Sequence, residues 1–506
     1  MTCACESIHK FPCQFPGETE FFKFDGKQWC RFHLPLQDEN GNKSDKGRED
    51  EGWKTTYLGL LSLGNTNGPI GGIKKGKELE AFRTEVHARL QVKKPTSPNP
   101  LLASDNRADM RGVVFPPGFA FGNIGIEHAL YVNFERATFG DRANFCSAEI
   151  DDEANFTDVT FDGSASFDGA TLGKGANFTR STFGGRASFG SMTFGDEANF
   201  HRATFCNKAN FKAATFGNVT RFERATFEGY ADFSDASLGV GADFTRAIFK
   251  DVADFSDTAP NPNTAHRDLA LRFISFRKAL FNGPAIFENR DFATSSLFDG
   301  AIFENLANFH GCKFHQGIFF HEAYFRKTIG DNNTQTAELE QSYRTLKRAM
   351  ADLHARNEET DFFALEMECR RQRGSVPWFE RLAATAYKHL SDYGRSIVRP
   401  LLWLGGLMVF AFLFYAVLFY WIAAEMPDWP RRHLPAIFEF TLEQMFSPFK
   451  IWWPPAAGKS NPEAARIVLL EYYPPLVKIF ASLQSLFTIA LLALFLLALR
   501  RRFKMD

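Results

Sequence analysis

One arithmetic regularity constrains this chain more than any other feature. From Phe134 onward, apolar residues recur at steps that alternate between five and six. They fall at 134, 139, 145, 150, 156, 161, 167, 172, 178, 183 and 189, then at 194, 200, 205, 211, 216, 222, 227, 233, 238, 244, 249 and 255. The same phase resumes at Phe276, Phe281, Phe287, Phe292, Phe298, Phe303, Phe309, Phe314, Phe320 and Phe325. The unit is eleven residues, as in Ala198-Asn199-Phe200-His201-Arg202-Ala203-Thr204-Phe205-Cys206-Asn207-Lys208. Such steps drift round a 3.6-residue helix and make no stripe, and simple two-residue strand alternation fails too. A coil that turns a corner every five residues accounts for them. Phe and the Ala two places before it share strand parity and point inward. Stacked coils then set Phe over Phe roughly 4.8 Å apart, with backbone bonds between coils. A repeated slot of one shape also explains why Phe occurs 57 times, against 11 Tyr and 8 Trp.

The sixth residue follows the second Phe of each unit, where Gly140, Gly184, Gly195, Gly217 and Gly239 stand. The expectation there is a one-residue bulge at a corner, with the positive φ that Gly tolerates. Four corners consume two units, and the rod spans on the order of 40 Å at one strand spacing per coil. Asp257 to Asp268, with Pro260, Asn261, Pro262 and Asn263, interrupts the pattern without ending it, and is expected as a loop at 257–275.

The Ala-Asn/Asp-Phe and Ala-Thr-Phe triplets between Phe134 and Phe325 resemble the pentapeptide-repeat family, in the variant with alternating steps. The resemblance implies a mainly β solenoid, a right-handed quadrilateral parallel β-helix. It implies little about activity: the family includes acidic DNA mimics that bind topoisomerase. Here residues 131–256 carry 18 acidic against 12 basic residues. That is sparse beside one charge per roughly 1.7 Å of DNA, and Arg136, Arg180, Arg202 and Arg224 interrupt it. A DNA-mimic binder of topoisomerase is therefore the least favoured reading. The overall charge of −1, from 58 basic and 59 acidic residues, argues against nucleic acid as a partner.

The rest of the chain divides around this rod of residues 110–330. Val113 to Phe121 reads as a first coil out of phase with the others. Before it, residues 76–94 read as a capping helix whose stripe Leu79, Phe82, Val86 and Leu90 covers the open end. Residues 36–75 read as a flexible linker. Residues 331–398 read as a helical plug and spacer, with apolar residues at helical spacing from Glu338 to Leu353 and again from Asp361 to Arg373. Residues 399–506 read as a two-helix transmembrane hairpin, with charge-free stretches at Leu401–Ala424 and Ile479–Leu499. Each exceeds the roughly 20 residues needed to cross a hydrocarbon core. Arg381, Lys388, Arg395 and Arg399 precede the first, and Arg500, Arg501, Arg502 and Lys504 follow the second. The positive-inside bias puts both termini in the cytoplasm. The N-terminus, Met-Thr-Cys-Ala-Cys-Glu, has no basic n-region and no apolar h-region, so no cleavable signal is expected. The inner membrane of a bacterium is the expected location.

Between the two stretches, Pro435–Phe449 is apolar but too short to cross, and is expected as an interfacial or re-entrant helix. The order of span, short helix and span resembles the two-span pore module of cation channels. The tract Ser391-Asp392-Tyr393-Gly394-Arg395 with Arg399-Pro400 resembles the junction of pentapeptide-repeat proteins fused to such a module. However, Phe446-Ser447-Pro448-Phe449-Lys450 stands where a pore carries Thr-Val-Gly-Tyr-Gly.

Candidate chemistry is confined to residues 1–35. Cys5, Cys13, Cys30 and His33 offer the four ligands that structural zinc requires, with Cys3 or His9 as substitutes. A tail of free thiols is the alternative. Cys30-Arg31-Phe32-His33-Leu34-Pro35 also resembles N-terminal segments of some bacterial pentapeptide-repeat proteins. Gly71-Gly72-Ile73-Lys74-Lys75-Gly76-Lys77 mimics a phosphate loop but ends in Glu78, where the motif needs a hydroxyl. His201, His310, His315 and His321 are expected on the rod surface. No nucleophile–base constellation stands out, so no enzyme is expected. The expectation is a membrane-tethered scaffold that binds an unidentified protein. The alternative is a channel-like or sensing protein whose rod gates a homo-oligomeric pore.

Overall fold

The structure is a computed structural model. It describes residues 21–24, 27–30, 32–36, 43–44, 46, 55–56, 74–75, 81–82, 84–86, 108–121, 132–257, 271–315, 317–326, 333–373, 376–423, 434–445 and 474–503. Two compact units divide the chain, Met1–Gly330 and Asp331–Asp506.

The first unit is a parallel β-solenoid of two-residue strands. Ten strands stack in its longest ladder, from Val114–Phe115 to Tyr324–Phe325. Neighbouring rungs lie two repeat units apart: Thr182 and Phe183 face Thr204 and Phe205, which face Thr226 and Phe227. Four columns of buried apolar residues fill the interior. Three are unbroken phenylalanine stacks; in one, Phe178, Phe200 and Phe222 lie 4.8 and 4.7 Å apart, ring upon ring and nearly parallel. Within a coil, neighbouring rings meet edge to face, as Phe200 and Phe211 do at 5.9 Å. Both arrangements suit the aromatic quadrupole. The fourth column runs Ile150, Leu172, Phe194, Phe216 and Leu238, all buried. The alanines two places before these residues, such as Ala198, Ala203 and Ala209, are fully enclosed.

The corners differ from expectation. Of Gly140, Gly184, Gly195, Gly217 and Gly239, only Gly239 has positive φ. The others are glycines because coils approach closely. A Cβ on Gly217 would stand 2.5 Å from the Asp196 amide nitrogen, and one on Gly184 2.7 Å from the Asp162 carbonyl. Positive φ falls instead two residues after a Phe, at Arg136, Asp158, Arg180, Arg202, Arg224 and Arg246. There it is the third position of a tight turn, closed for example by the Ala203 amide donating to the Phe200 carbonyl at 3.0 Å. The polar residue before each Phe supports the same turn: Asn199 Oδ1 accepts from the His201 amide at 2.9 Å.

The interruption is shorter than the expected 257–275, because Leu271 to Ser275 already pair with neighbouring coils, and it leaves the three phenylalanine columns intact. Phe249 stacks on Phe281 at 4.9 Å, close to the 4.8 Å between Phe183 and Phe205 in a regular coil. Here the Ala slot two before Phe292 holds Arg290, which is fully buried. In regular coils a carbonyl of this column accepts from the next coil's backbone, as Ala214 does from the Ser237 amide at 2.9 Å. At Ala236 the donor is the Arg290 guanidinium, at 2.8 Å, and it also donates to the Phe233 and Phe255 carbonyls. The side chain thus reaches back over two coils and supplies donors where the regular path is interrupted. Burial lowers its pKa to about 10, opposed by Asp257, Asp235 and Asp254.

At the N-terminal end, Val114–Phe115 and Phe121 join the next coil at a slightly longer step, with Phe115 stacked on Phe139 at 4.4 Å and Phe121 on Phe145 at 4.3 Å. Residues 81–82 and 84–86 are helical. Phe82, fully buried, meets Phe115 and Phe119 edge-on at 5.7 and 5.6 Å and lies 5.2 Å from Phe32. Lys46, inside the expected linker, is buried and donates to the Val114 carbonyl, with its ammonium 4.6 Å from the Phe82 ring centre. That segment therefore contains a fixed contact with the first coil. Leu79 and Leu90 of the expected stripe lie outside the described residues.

The second unit is helical: α1 (Asn333–Asp352), α2 (Arg356–Gln372), α3 (Trp378–Ser391), α4 (Val398–Ala423), α5 (Leu434–Met445) and α6 (Pro474–Phe503). Val398–Trp421 and Pro475–Arg500 are long and apolar enough to cross a membrane.

Candidate functional site at the helical junction and hairpin

The residues expected to bind metal are reached only in part. Cys3, Cys5, His9 and Cys13 lie outside the described residues. Cys30 ends the strand Lys27–Cys30, paired antiparallel with Phe21–Phe24, and His33 follows in a turn and is buried. Among the described residues, no three of His, Cys, Asp and Glu gather where they could hold an ion. Lys74–Lys75 pair with Thr55–Thr56, while Gly71, Gly72 and Glu78 lie outside the described residues. On the rod, His315 and His321 are exposed. His201 stands 3.6 Å from Glu223, His315 2.9 Å from Asp291, and His310 is half-buried.

The densest polar arrangement among the described residues is the junction of α1, α2 and α3. α1 and α2 run into each other through a short turn, and their apolar faces bury Leu339, Tyr343, Leu346, Met350, Phe362, Leu365 and Cys369. Three glutamates lie at the edge of this core, each nearly enclosed and each held by several cations. Glu340 accepts from Arg344 at 2.7 Å and from Arg373 at 3.0 Å. Glu366 accepts from Arg344 at 2.8 Å and from Lys347. Glu368 is the hub. It accepts from Arg371 at 2.6 Å, Gln372 at 2.7 Å, Lys388 at 2.9 Å and the Tyr393 hydroxyl at 2.8 Å. Burial alone would raise its pKa, but the hydrogen bonds from Arg371, Lys388, Tyr393 and Gln372 outweigh it and hold the carboxyl down at about 2. The Cys369 thiol beside it is pushed up to about 12 by burial, then by the charges of Glu340, Glu368 and Glu366. It therefore stays protonated and unreactive.

The tract Ser391-Asp392-Tyr393-Gly394-Arg395 is the corner between α3 and α4. Asp392, Tyr393 and Gly394 take three successive positive φ values, 52, 57 and 82°. Such a run is strained for non-glycine residues and persists where surroundings fix it. Those surroundings are clear: Tyr393 is buried against Glu368, Arg395 pairs with Asp361 at 3.1 Å and Asp392 at 3.0 Å, and the Gly394 amide donates to Ser391 Oγ at 3.1 Å. The tract is a built corner that sets the direction in which the chain enters α4.

In the hairpin, α5 packs against both α4 and α6. Ala436, Ile437 and Phe440 are buried in one cluster with Ala411, Tyr415 and Phe419 of α4 and Val477 of α6, and Thr441 and Met445 are buried as well. Polar groups join the three helices. The Tyr415 hydroxyl lies 3.0 Å from Gln484 Oε1, Gln484 Nε2 donates to the Thr441 carbonyl at 3.1 Å, and Ser485 donates to the Gln444 carbonyl at 2.9 Å. In an apolar surrounding such bonds are costly to leave unmade. A Cβ on Gly405 or Gly406 would meet nothing within 4 Å. Lys450 lies outside the described residues.

Sequence reasoning missed Glu368, Gln484 and Arg290. Arg290 left a visible signal, an arginine in a slot that holds Ala in most units. Glu368 left none, because its partners come from three separate segments.

No curated protein and no solved structure matches this chain. The family profile "Pentapeptide repeats (9 copies)" matches residues 147–193, 189–237 and 211–259. These stretches lie in the middle of the four-column solenoid, and the steps, the inward Phe and Ala and the stacked coils continue on both sides of them. The rod of this chain is a pentapeptide-repeat β-solenoid.

Proposed function

We propose that this protein is a membrane-tethered scaffold. The observation that carries the reading is the pairing of a rigid, uniformly stacked rod with two helices of crossing length. Pentapeptide-repeat solenoids commonly serve as protein-interaction scaffolds, and the rod's outward side chains recur at fixed spacing, a ruled surface for a protein partner. The hairpin holds that surface at the bacterial inner membrane, with both basic ends, Arg399 and Arg500–Arg502, on the cytoplasmic side. The scaffold carries no catalytic step. Zinc at Cys5, Cys13, Cys30 and His33 belongs to the same proposal as a structural staple, supported by a thiolate and an imidazole three residues apart. Full-length protein in bacterial membranes should resist extraction by carbonate. Its complete release would overturn the tether.

A second reading, a channel-like assembly of several copies, is favoured by one observation: α5 lies between the two long helices, tied to them through Gln484. Reconstituted protein should give no current across a planar bilayer if the hairpin is an anchor. A reproducible current altered by Gln484→Ala would favour the pore.

A further inference from the structure

Helix α3 has two faces that ask for different surroundings. Its inner face is satisfied by the junction: Ala384 and Ser391 are buried, Lys388 reaches Glu368, and Arg381 donates to the Arg373 carbonyl at 3.2 Å. Its outer face is apolar and open. Trp378 is 76% exposed, Leu382 64% and Phe379 56%, and the face continues through Ala386 to His389 at helical spacing. α3 packs against α4 and α6, and Trp403 Nε1 of α4 donates to the His389 carbonyl at 3.3 Å. Beyond the corner, Val398, Leu401, Leu402 and Trp403 are exposed in the same way. The open apolar surface is thus continuous from α3 onto the first turns of a helix long enough to cross a membrane.

The charge around it is net positive. Between 377 and 400 stand four basic residues, Arg381, Lys388, Arg395 and Arg399, against two acidic ones, Glu380 and Asp392. An apolar face with exposed Trp and Phe, a basic flank and continuity with a span is the combination that an anionic lipid surface accepts.

We propose that α3 is an interfacial helix, with Trp378, Phe379 and Leu382 seated at the boundary of headgroups and acyl chains in the leaflet on the basic side of the hairpin. This rests on the membrane reading of α4 and α6. The two are separable. Benzoylphenylalanine, a photoreactive side chain, is introduced in the full-length protein in place of Trp378, Val409 or Glu322, and the protein is placed in vesicles of phosphatidylglycerol and phosphatidylethanolamine. Val409 lies mid-way along α4 and is 57% exposed. Glu322 lies on the rod. After illumination, mass spectrometry should find lipid adducts at 378 and 409 and at least a tenfold lower yield at 322. The same probe at Leu382 repeats the measurement if the substitution at 378 is not tolerated. Lipid adducts at 409 with only protein adducts at 378 and 382 would overturn the interfacial helix and leave the tether standing; a second copy or the rod would then be the occupant. Absence of lipid adducts at all three helical positions would overturn both.

Discussion

The rod and the helical unit reach stability by opposite routes. In the rod, one solution is repeated: a Phe in a column meets a ring above, a ring below and others across the coil, and its neighbours in sequence meet the same environment one coil further on. Energy is spread evenly, and each coil depends on the next. In the helical unit nothing repeats. Glu368 ties α2 to α3 through Lys388 and to the corner before α4 through Tyr393, while Arg371 and Gln372 hold it within α2. The lesson is that repetition makes a fold legible and redundant, whereas a hub makes it compact and vulnerable at one point.

The largest expected effect tests the repeated part. Phe200→Asp puts a carboxylate between two stacked rings in an enclosed column and should cost upward of about 4 kcal/mol, enough to unfold the adjoining coils. Circular dichroism and limited proteolysis would check it; a fully folded rod would break the column description. Arg290→Met probes the place where the rod borrows a hub. Removal of the guanidinium leaves the Phe233, Ala236 and Phe255 carbonyls without that donor and should cost about 3 kcal/mol. Hydrogen exchange should show the loss concentrated in the coils that border 257–271 and not shared along the rod. Uniform destabilisation would contradict the assignment.

Glu368→Gln comes next. It keeps the shape, removes the charge and should destabilise the helical unit by about 2 kcal/mol. The pH dependence has a definite sign. The folded carboxyl titrates at about 2, below its ordinary value of 4.5. Its stabilisation is therefore complete above about 4.5 and lost progressively as pH falls toward about 2. Denaturant titration of the full chain in detergent should show this acid sensitivity, and Glu368→Gln should remove it. The smallest effect is the sharpest control: His201→Asn, beside Phe200 but on the surface, should change stability by under about 0.5 kcal/mol. Equal losses at 200 and 201 would erase the difference between inside and outside.

The architecture of the rod was legible because each position votes many times over; the columns follow from the five-six steps alone. The corners were not, because two causes call for Gly, positive φ and close backbone approach, and composition does not separate them. Arg202 and its equivalents take the positive φ, while Gly217 yields space. The long apolar helices were legible from length, with the described helices extending a few residues past the charge-free stretches into Val398 and Arg500. The Ser391–Arg395 tract could be singled out by resemblance but not explained, since its reason, the burial of Tyr393 on Glu368, joins positions far apart in the chain. The hairpin network of Tyr415, Thr441 and Gln484 draws on three separate helices and leaves no periodic trace.

The constant rung has a consequence for how the chain comes into being. Each ladder bond closes a loop of modest length, from Phe183 to Phe205 in a regular coil and from Phe249 to Phe281 across the interruption, so the entropic cost of closure changes little from step to step and never grows with the rod. A coil can dock as soon as its own residues have left the ribosome, and the solenoid can lengthen in pace with translation. The hairpin is encoded after the last coil. Its apolar helices can therefore emerge after the aromatic columns have shut, an order that would keep two very different greasy surfaces from meeting before each has found its own partner.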